Sequence, residues 1–168
     1  MAESTGTPTL YMTNSSAKAG QTLEMNICIK DNPGIFAINI KLDFPKDVLE
    51  LVDVTDGLMK VTGKNTNETS DDYGTILAES ETTGVDITGN GALFTVKFKV
   101  KDGATAQECT VGLNVISANN TALAYVTPAT ESGKASVTDR TVTSTVSGTA
   151  TANYRRFMAP KQQSRRSR

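Results

Sequence analysis

The chain of 168 residues contains no histidine. Without histidine, Ser-His-Asp and Cys-His catalytic arrangements cannot form, and the commonest general base in enzymes is missing. A zinc site is also disfavoured, because its usual ligands are histidine and cysteine and the chain has only two cysteines. We therefore expect no enzyme activity, and no metal or other cofactor in this chain.

Aromatic side chains are scarce. Tryptophan is absent, and the chain has five phenylalanines and four tyrosines. A carbohydrate-binding module needs exposed rings on which sugars stack, whereas the strand pattern turns Phe44, Phe94 and Phe98 inward. This function is disfavoured but stays open, because three tyrosines remain as candidates for sugar contact: Tyr11, Tyr73 and Tyr125.

Long apolar runs are absent as well. No stretch of about 18 apolar residues occurs, so the sequence predicts no membrane span. Residues 1–8 are polar and lack the apolar core of a signal peptide. We expect a flexible leader there.

Charge is distributed unevenly along the chain. Residues 153–168 carry six Arg and Lys and no acid, whereas the residues before them carry 11 basic and 18 acidic side chains. An acidic domain argues against nucleic acid as the main partner. We interpret residues 153–168 as a disordered or vector-derived tail. The alternative is that these residues bind an anionic polymer or a membrane surface, but their sequence shows no apolar period that would support it.

The two cysteines, Cys28 and Cys109, could form a single bridge. The strand pattern assigns them to different sheets and puts Cys28 on the polar side of its strand. Because a disulfide has strict geometric requirements, we favour free thiols and keep the bridge as the alternative.

Strict alternation of apolar and polar residues is the main structural signal. Between residues 37 and 44, apolar side chains fall on one face and polar ones on the other, as a pleated strand requires. Residues 21–30 and 92–100 follow the same period. Because turn residues separate these segments, the sequence predicts an all-β, two-sheet sandwich of about nine strands.

The remaining segments are less regular. We expect a turn at Ser15–Gly20, a strand at Tyr73–Glu81 and a last strand at Thr141–Ala152. Residues 62–72 are polar throughout and fit either an exposed edge strand or a loop. The other predicted strands cover residues 9–13, 49–54 and 111–115, and residues 58–61 either continue the second of these or begin another.

Four segments carry a family resemblance. They read G-I-F-A-I-N-I-K-L-D-F-P-K-D-V-L-E-L from Gly34, I-L-A-E-S-E-T-T-G from Ile76, G-A-L-F-T-V-K-F-K-V-K from Gly91 and S-A-N-N-T-A-L from Ser117. In this order and spacing they resemble a cohesin domain, the receptor module of cellulosome scaffoldins. The resemblance covers residues 9–152, and the cohesin type stays open.

The resemblance implies a nine-stranded jelly-roll sandwich that binds a dockerin module on the sheet formed by the family's strands eight, three, six and five. It implies a secreted or cell-surface protein, a monomer on its own, that helps to assemble polysaccharide-degrading enzymes. Calcium is expected in the dockerin and not in this chain. Rival hypotheses are a carbohydrate-binding module and an adhesin-like spacer domain.

The resemblance also suggests which residues bind the partner. It makes Ala37, Asn39 and Lys41 the outward residues of strand three. Ile76 and Ala78 are expected outward on strand six, which Glu79 closes, so that an apolar centre would sit within a polar rim. Strand five contributes weaker candidates, and the long piece after strand eight is expected to form a flap. These further candidates are Asn65, Asn67, Asn119, Leu123 and Tyr125.

Overall fold

A computed structural model describes residues 6–139, which form two β-sheets packed face to face. The strands are β1 (Thr9–Met12), β2 (Ser15–Lys18), β3 (Thr22–Lys30), β4 (Ala37–Asp43), β5 (Leu49–Asp56), β6 (Lys60–Lys64), β7 (Thr75–Glu79), β8 (Gly91–Val100), β9 (Gln107–Asn119), β10 (Ala129–Glu131) and β11 (Gly133–Thr138). Residues 6–139 contain no helix with the length and apolarity needed to cross a membrane.

The two sheets have separate strand orders. One has five strands in the order β10-β1-β3-β8-β5, and the other has six in the order β2-β11-β9-β4-β7-β6. Most neighbours are antiparallel, but β1 pairs with β10 and β2 pairs with β11 in parallel. The predicted all-β, two-sheet sandwich is confirmed, with a few more and shorter strands than expected.

The core lies between the sheets and is built from the predicted inward faces. Phe44, Phe94 and Phe98 are all buried, as the alternation required. The Phe44 ring packs edge-on against Tyr73 and Phe98, with ring centroids 5.3 and 4.9 Å apart. Such edge-to-face contacts add to the free energy of apolar burial and fix the relative positions of the strands that carry them.

Tyr73 was expected to start a strand and to remain a candidate for sugar contact. It instead precedes β7 and is buried, with 1% of its surface exposed. Its hydroxyl oxygen accepts a 2.8 Å hydrogen bond from the backbone N–H of Leu51 in the other sheet. Burial raises the pKa of the Tyr73 hydroxyl. The role in sugar contact is therefore wrong for Tyr73.

The turn expected at Ser15–Gly20 is confined to Ala19 and Gly20, because Ser15–Lys18 forms β2. Ala17 of β2 lies opposite Val137 of β11 and both face the core. Only one apolar residue occurs in S-S-A-K, so no alternation could reveal the strand. Pairing with a distant segment, rather than a local pattern, determines its conformation.

The polar stretches of the sequence form short strands and a loop. β6 extends to Lys64 and forms an edge of the six-stranded sheet, and a loop occupies residues 65–74. Both β10 and β11 lie in a stretch that the sequence analysis left without strands. The strand expected at Thr141–Ala152 and the tail at residues 153–168 lie outside the described residues.

Both cysteines are free and buried, Cys28 on β3 and Cys109 on β9, in different sheets. The predicted polar-side exposure of Cys28 is wrong, since only 6% of its surface is exposed. A register shift between Ile27 and Cys28 interrupts the simple alternation at this point. Burial raises the pKa of both thiols.

Candidate interaction surface

Four consecutive strands of the six-stranded sheet, β9, β4, β7 and β6, carry most of the predicted partner-binding residues. We call the outward side chains of these four strands the outer face. β4 lies in the middle, and Asn39 on it pairs with Leu77 of β7 on one side and Ser117 of β9 on the other. Residues directly opposite each other in a sheet share a face, so these three side chains form one row.

A second row lies beside the first. Ala37 pairs with Glu79 of β7 and with Asn119 of β9. Glu79 is paired on its other side with Lys60 of β6, which places opposite charges next to each other at the end of the row. The predicted residues Ala37, Asn39, Glu79 and Asn119 are thus brought together on the outer face.

Ile76 and Ala78 do not belong to the outer face, and their predicted outward orientation is wrong. They pair with Ile40 and Ile38 of β4, which point into the core. Ile76 is 0% exposed and Ala78 2% exposed, whereas Leu77 between them is 43% exposed. The apolar residue that β7 presents to solvent is therefore Leu77.

A β-bulge adds a second exposed apolar residue. Asn39 pairs with Ser117 and the next residue, Ile40, pairs with Val115, so Ile116 has no partner on β4. Val115 packs against the core, whereas Ile116 is 53% exposed. The extra residue of a bulge often re-aims a side chain near a functional site. Ile116 is not among the predicted binding residues, although alternation from the inward Val115 indicates that it points outward.

Asn39 has an unusual polar environment. Its side-chain oxygen Oδ1 is shielded from solvent and has no hydrogen-bond partner among the described residues. An unpaired buried acceptor carries a free-energy cost, so folded proteins rarely keep one without a reason. Asn39 lines an open depression of about 310 Å³, shared with Ala37, Leu77, Ser117 and Asn119. A donor from a partner that enters this depression would satisfy the oxygen.

Lys41 and Asn67 lie toward one end of the outer face. The Nζ atom of Lys41 donates a 2.7 Å hydrogen bond to the backbone carbonyl of Asp71, in the loop that follows β6. In the same loop, the Oδ1 atoms of Asn65 and Asn67 accept backbone N–H groups two residues ahead. Asn65 and Asn67 thus shape a turn beyond the four strands rather than extend the rows.

Leu123 and Tyr125 lie at the opposite end, in the loop after β9. They are 80% and 81% exposed, the highest values among the large apolar side chains of the described residues. The loop folds back along β9, with an isolated bridge between Asn119 and Tyr125 and a hydrogen bond from Val126 N to the Ala118 carbonyl. The flap expected over residues 123–139 is therefore confined to a short loop, because β10 and β11 occupy the rest.

The outer face combines apolar and polar groups. Among residues 6–139, no three His, Cys, Asp or Glu side chains come together as potential metal ligands. What the face offers is two exposed aliphatic side chains, an unpaired amide oxygen and a border of charged residues. An apolar centre with a polar rim is the arrangement of protein interfaces, where a few buried contacts supply most of the binding energy.

Comparison with protein families gives one result that covers most of the chain. Residues 8–152 match the family model described as Cohesin domain. The comparison with curated proteins returned no match.

Solved structures agree with this result. The chain is similar to the cohesin of a Coh-OlpA–Doc918 complex from Clostridium thermocellum, with 16% identity and a TM-score of 0.65 over 79% of this chain and 100% of that chain. The seventh ScaB type I cohesin from Pseudobacteroides cellulosolvens is 18% identical, with a TM-score of 0.66 over 83% of this chain and 97% of that chain. A non-cellulosomal cohesin from Archaeoglobus fulgidus is 22% identical, with a TM-score of 0.60 over 79% of this chain and 92% of that chain. At these identities the structural likeness establishes the fold.

Proposed function

The chain belongs to the cohesin family, and on that premise we propose that it is a receptor that binds dockerin modules through the outer face of β9, β4, β7 and β6. The observation that carries this proposal is the row of Leu77, Asn39 and Ser117, with the exposed Ile116 beside it. Two of the solved structures similar to this chain are cohesin–dockerin complexes from Clostridium thermocellum.

The row supports binding in two ways. Leu77 and Ile116 expose aliphatic surface that a partner would remove from water, which favours association. Asn39 offers an acceptor that lacks a partner in the isolated protein, so a donor from the dockerin would gain a hydrogen bond at little desolvation cost to this side. Together the two features favour a specific partner over nonspecific adhesion.

The biological role follows from this interaction. The chain would hold dockerin-bearing, polysaccharide-degrading enzymes on a scaffold or cell surface, outside the cell. It would do so without catalysis of its own and as a monomer when free. Calcium would enter with the dockerin and not with this chain.

Isothermal titration calorimetry against a panel of dockerins, with calcium and with a chelator, tests the proposal. We expect saturable one-to-one binding of at least one dockerin, and loss of that binding when calcium is removed from the dockerin. Calcium added to this chain alone should give no binding heat. If no dockerin binds, and the chain is instead retarded on gels that contain cellulose, xylan or starch, the carbohydrate-binding alternative replaces this proposal.

A further inference from the structure

We propose that Asn67, in the loop after β6, is an acceptor site for an asparagine-linked glycan. The inference goes beyond the proposed function and does not depend on dockerin binding. The acceptor pattern for such glycans is Asn-X-Ser/Thr, with X other than proline, and it begins at three positions of the chain: Asn14, Asn67 and Asn119. The pattern is common in a Thr-rich sequence, so the surroundings of each asparagine must distinguish the three.

The segment Asn67-Glu68-Thr69 holds its asparagine and its threonine against each other. Asn67 Oδ1 accepts a 2.8 Å hydrogen bond from the Thr69 hydroxyl and a 3.1 Å hydrogen bond from the Thr69 backbone N–H. Both donors belong to the residue whose hydroxyl the acceptor pattern requires. All three residues of the segment are exposed. Because these hydrogen bonds span only two residues, they form locally and need no distant part of the fold.

The amide nitrogen Nδ2 of Asn67 is the atom that would carry the glycan. It donates no hydrogen bond to any of residues 6–139, whereas the two hydrogen bonds at Oδ1 hold the carboxamide group in one orientation. A side chain that is already oriented loses less conformational freedom when a transferase binds it. The local structure therefore favours reaction at this nitrogen.

The loop that carries this segment is fixed at its base. Asn65 N donates a 2.9 Å hydrogen bond to the Thr75 carbonyl, and Gly74 N donates one of 3.0 Å to the Asn65 carbonyl. Ser70 Oγ accepts hydrogen bonds from Asn65 Nδ2, at 3.0 Å, and from Asp72 N, at 3.1 Å. A transferase can therefore reach the exposed segment without opening either β-sheet.

The other two asparagines are held differently. Asn14 Oδ1 accepts a 2.9 Å hydrogen bond from Lys134 N of β11, and Ser16 of its pattern lies in the paired strand β2. Asn119 is half-buried at the end of β9, and its Nδ2 donates a 3.0 Å hydrogen bond to the Asn120 carbonyl. Both side chains are thus bound to the folded backbone, so we expect neither to accept a glycan in the folded chain.

The transfer step requires a lipid-linked oligosaccharide as donor. Nδ2 of Asn67 forms a bond to the anomeric carbon of the first sugar, while the bond from that carbon to the diphosphate of a polyprenyl carrier breaks. The diphosphate leaves with the electron pair of the broken bond, and a base of an oligosaccharyltransferase takes the proton that Nδ2 loses. Such a donor and transferase act on secreted proteins, which agrees with the extracellular location proposed for this chain.

The test uses the purified folded chain, a polyprenyl-diphosphate-linked oligosaccharide and a single-subunit oligosaccharyltransferase that modifies a synthetic peptide of residues 65–71. Peptide mapping by mass spectrometry measures occupancy, which should be about tenfold higher at Asn67 than at Asn14 or Asn119. Thr69→Ala should abolish transfer, whereas Thr69→Ser keeps both donors and should retain it. The matched control is Thr66→Ala, exposed in the same loop but outside the pattern, which should keep wild-type occupancy.

Three results would overturn the inference. The first is a folded chain without a glycan at Asn67, under conditions in which the peptide is modified. The second is equal occupancy of Asn67 and either of the other two asparagines, because the surroundings of Asn67 would then give it no advantage. The third is undiminished transfer to Thr69→Ala, which would show that the Thr69 hydroxyl is not required. Thermal melts confirm that each variant is folded.

Discussion

Leu77 lies directly opposite Asn39 across the ladder between β4 and β7, so the two side chains leave the sheet on the same side. The residue before Leu77, Ile76, lies opposite Ile40 and is buried in the core. Two consecutive residues thus have opposite tasks: one presents apolar surface to solvent and the other holds the sheets together. This alternation separates the effects of mutations on binding from those on stability.

Replacement of Leu77 by lysine should abolish dockerin binding without unfolding the protein. Leu77 is 43% exposed, so a lysine there keeps its charge in water, but a partner would have to bury it. Ile76→Lys should instead lower the free energy of unfolding by about 3 kcal/mol or more, because it puts a charge into the core. Calorimetric titration and urea denaturation of both variants check this, and equal loss of stability in both would contradict the assigned faces.

Asn39→Ala should weaken dockerin binding about tenfold and leave the stability of the free domain unchanged or slightly higher. The variant removes an unpaired buried oxygen, which benefits the isolated protein, and it removes the acceptor that the complex would use. The control is Asn26→Ala on β3, whose side-chain oxygen accepts a 2.7 Å hydrogen bond from Thr95. That variant should lose stability and keep its affinity, the reverse of Asn39→Ala.

Asp86 should affect dockerin binding because it holds the loop after β9 in position. Asp86→Ala removes the acceptor for Thr121 N, so the amide of Thr121 should exchange hydrogen faster and dockerin affinity should fall about threefold to tenfold. Asp86→Asn keeps an oxygen acceptor and should retain both protection and affinity. Hydrogen exchange followed by mass spectrometry, together with titration, measures the two effects. Equal affinities of the alanine and asparagine variants would remove Asp86 from this role.

Tyr73→Phe should lower the free energy of unfolding by about 1 to 2 kcal/mol. The variant leaves the Leu51 N–H buried without its acceptor, at nearly unchanged apolar burial. Tyr125→Phe removes the same atom from an exposed side chain and should change stability by less than about 0.5 kcal/mol. Urea denaturation at neutral pH distinguishes them, and a Tyr73→Phe variant as stable as wild type would show that the hydrogen bond contributes nothing.

Stability should decline as the pH rises through about 8.5, where the unfolded thiols are half ionised. Burial raises the pKa of Cys109 in the folded state, with a further contribution from the charge of Asp47, and burial also raises the pKa of Cys28 and Tyr73. Well below that pH these groups are protonated in both states. Above it the unfolded chain loses protons first, so the free energy of unfolding falls until the folded groups ionise too. Denaturation between pH 7.5 and 10.5 should show a shallower decline for Cys109→Ala than for wild type.

Long alternating segments made most of the fold predictable. β3, β4 and β8 each contain seven or more residues, enough for the period of two to fix which side chains enter the core. β2 and β10 have four and three residues and exist because distant strands pair with them. A local pattern carries no information about such pairing, so these strands were missed.

The orientation of β7 was predicted incorrectly, although its sequence contained the necessary signal. Three consecutive apolar residues from Ile76 to Ala78 fit either face. Thr75 and Glu79 are polar and share the parity of Leu77, which indicates that Leu77 points outward. The opposite assignment of Ile76 and Ala78 rested on the family resemblance and on the parity that they share against Leu77, whereas the polar residues of the same strand favour the orientation found.

The bulge at Ile116 and the unpaired side-chain oxygen of Asn39 both depend on which segments lie next to each other in the folded protein. A bulge is defined by the strand opposite, and at this bulge Ile40 of β4 pairs with Val115 of β9, more than 70 residues away in sequence. Likewise, whether an asparagine oxygen has a donor depends on every strand and loop around it. The sequence could place Asn39 outward, but only the assembled sheet leaves its oxygen without a partner.

Backbone amide NMR of the domain, recorded with and without a calcium-loaded dockerin that binds it, shows which sheet the dockerin contacts. We expect the largest shift changes on Asn39, Leu77, Ile116 and their neighbours on the outer face, while Glu24 and Lys97 on the five-stranded sheet stay unperturbed. Perturbations centred on the five-stranded sheet, with the outer face unchanged, would contradict the proposed binding face.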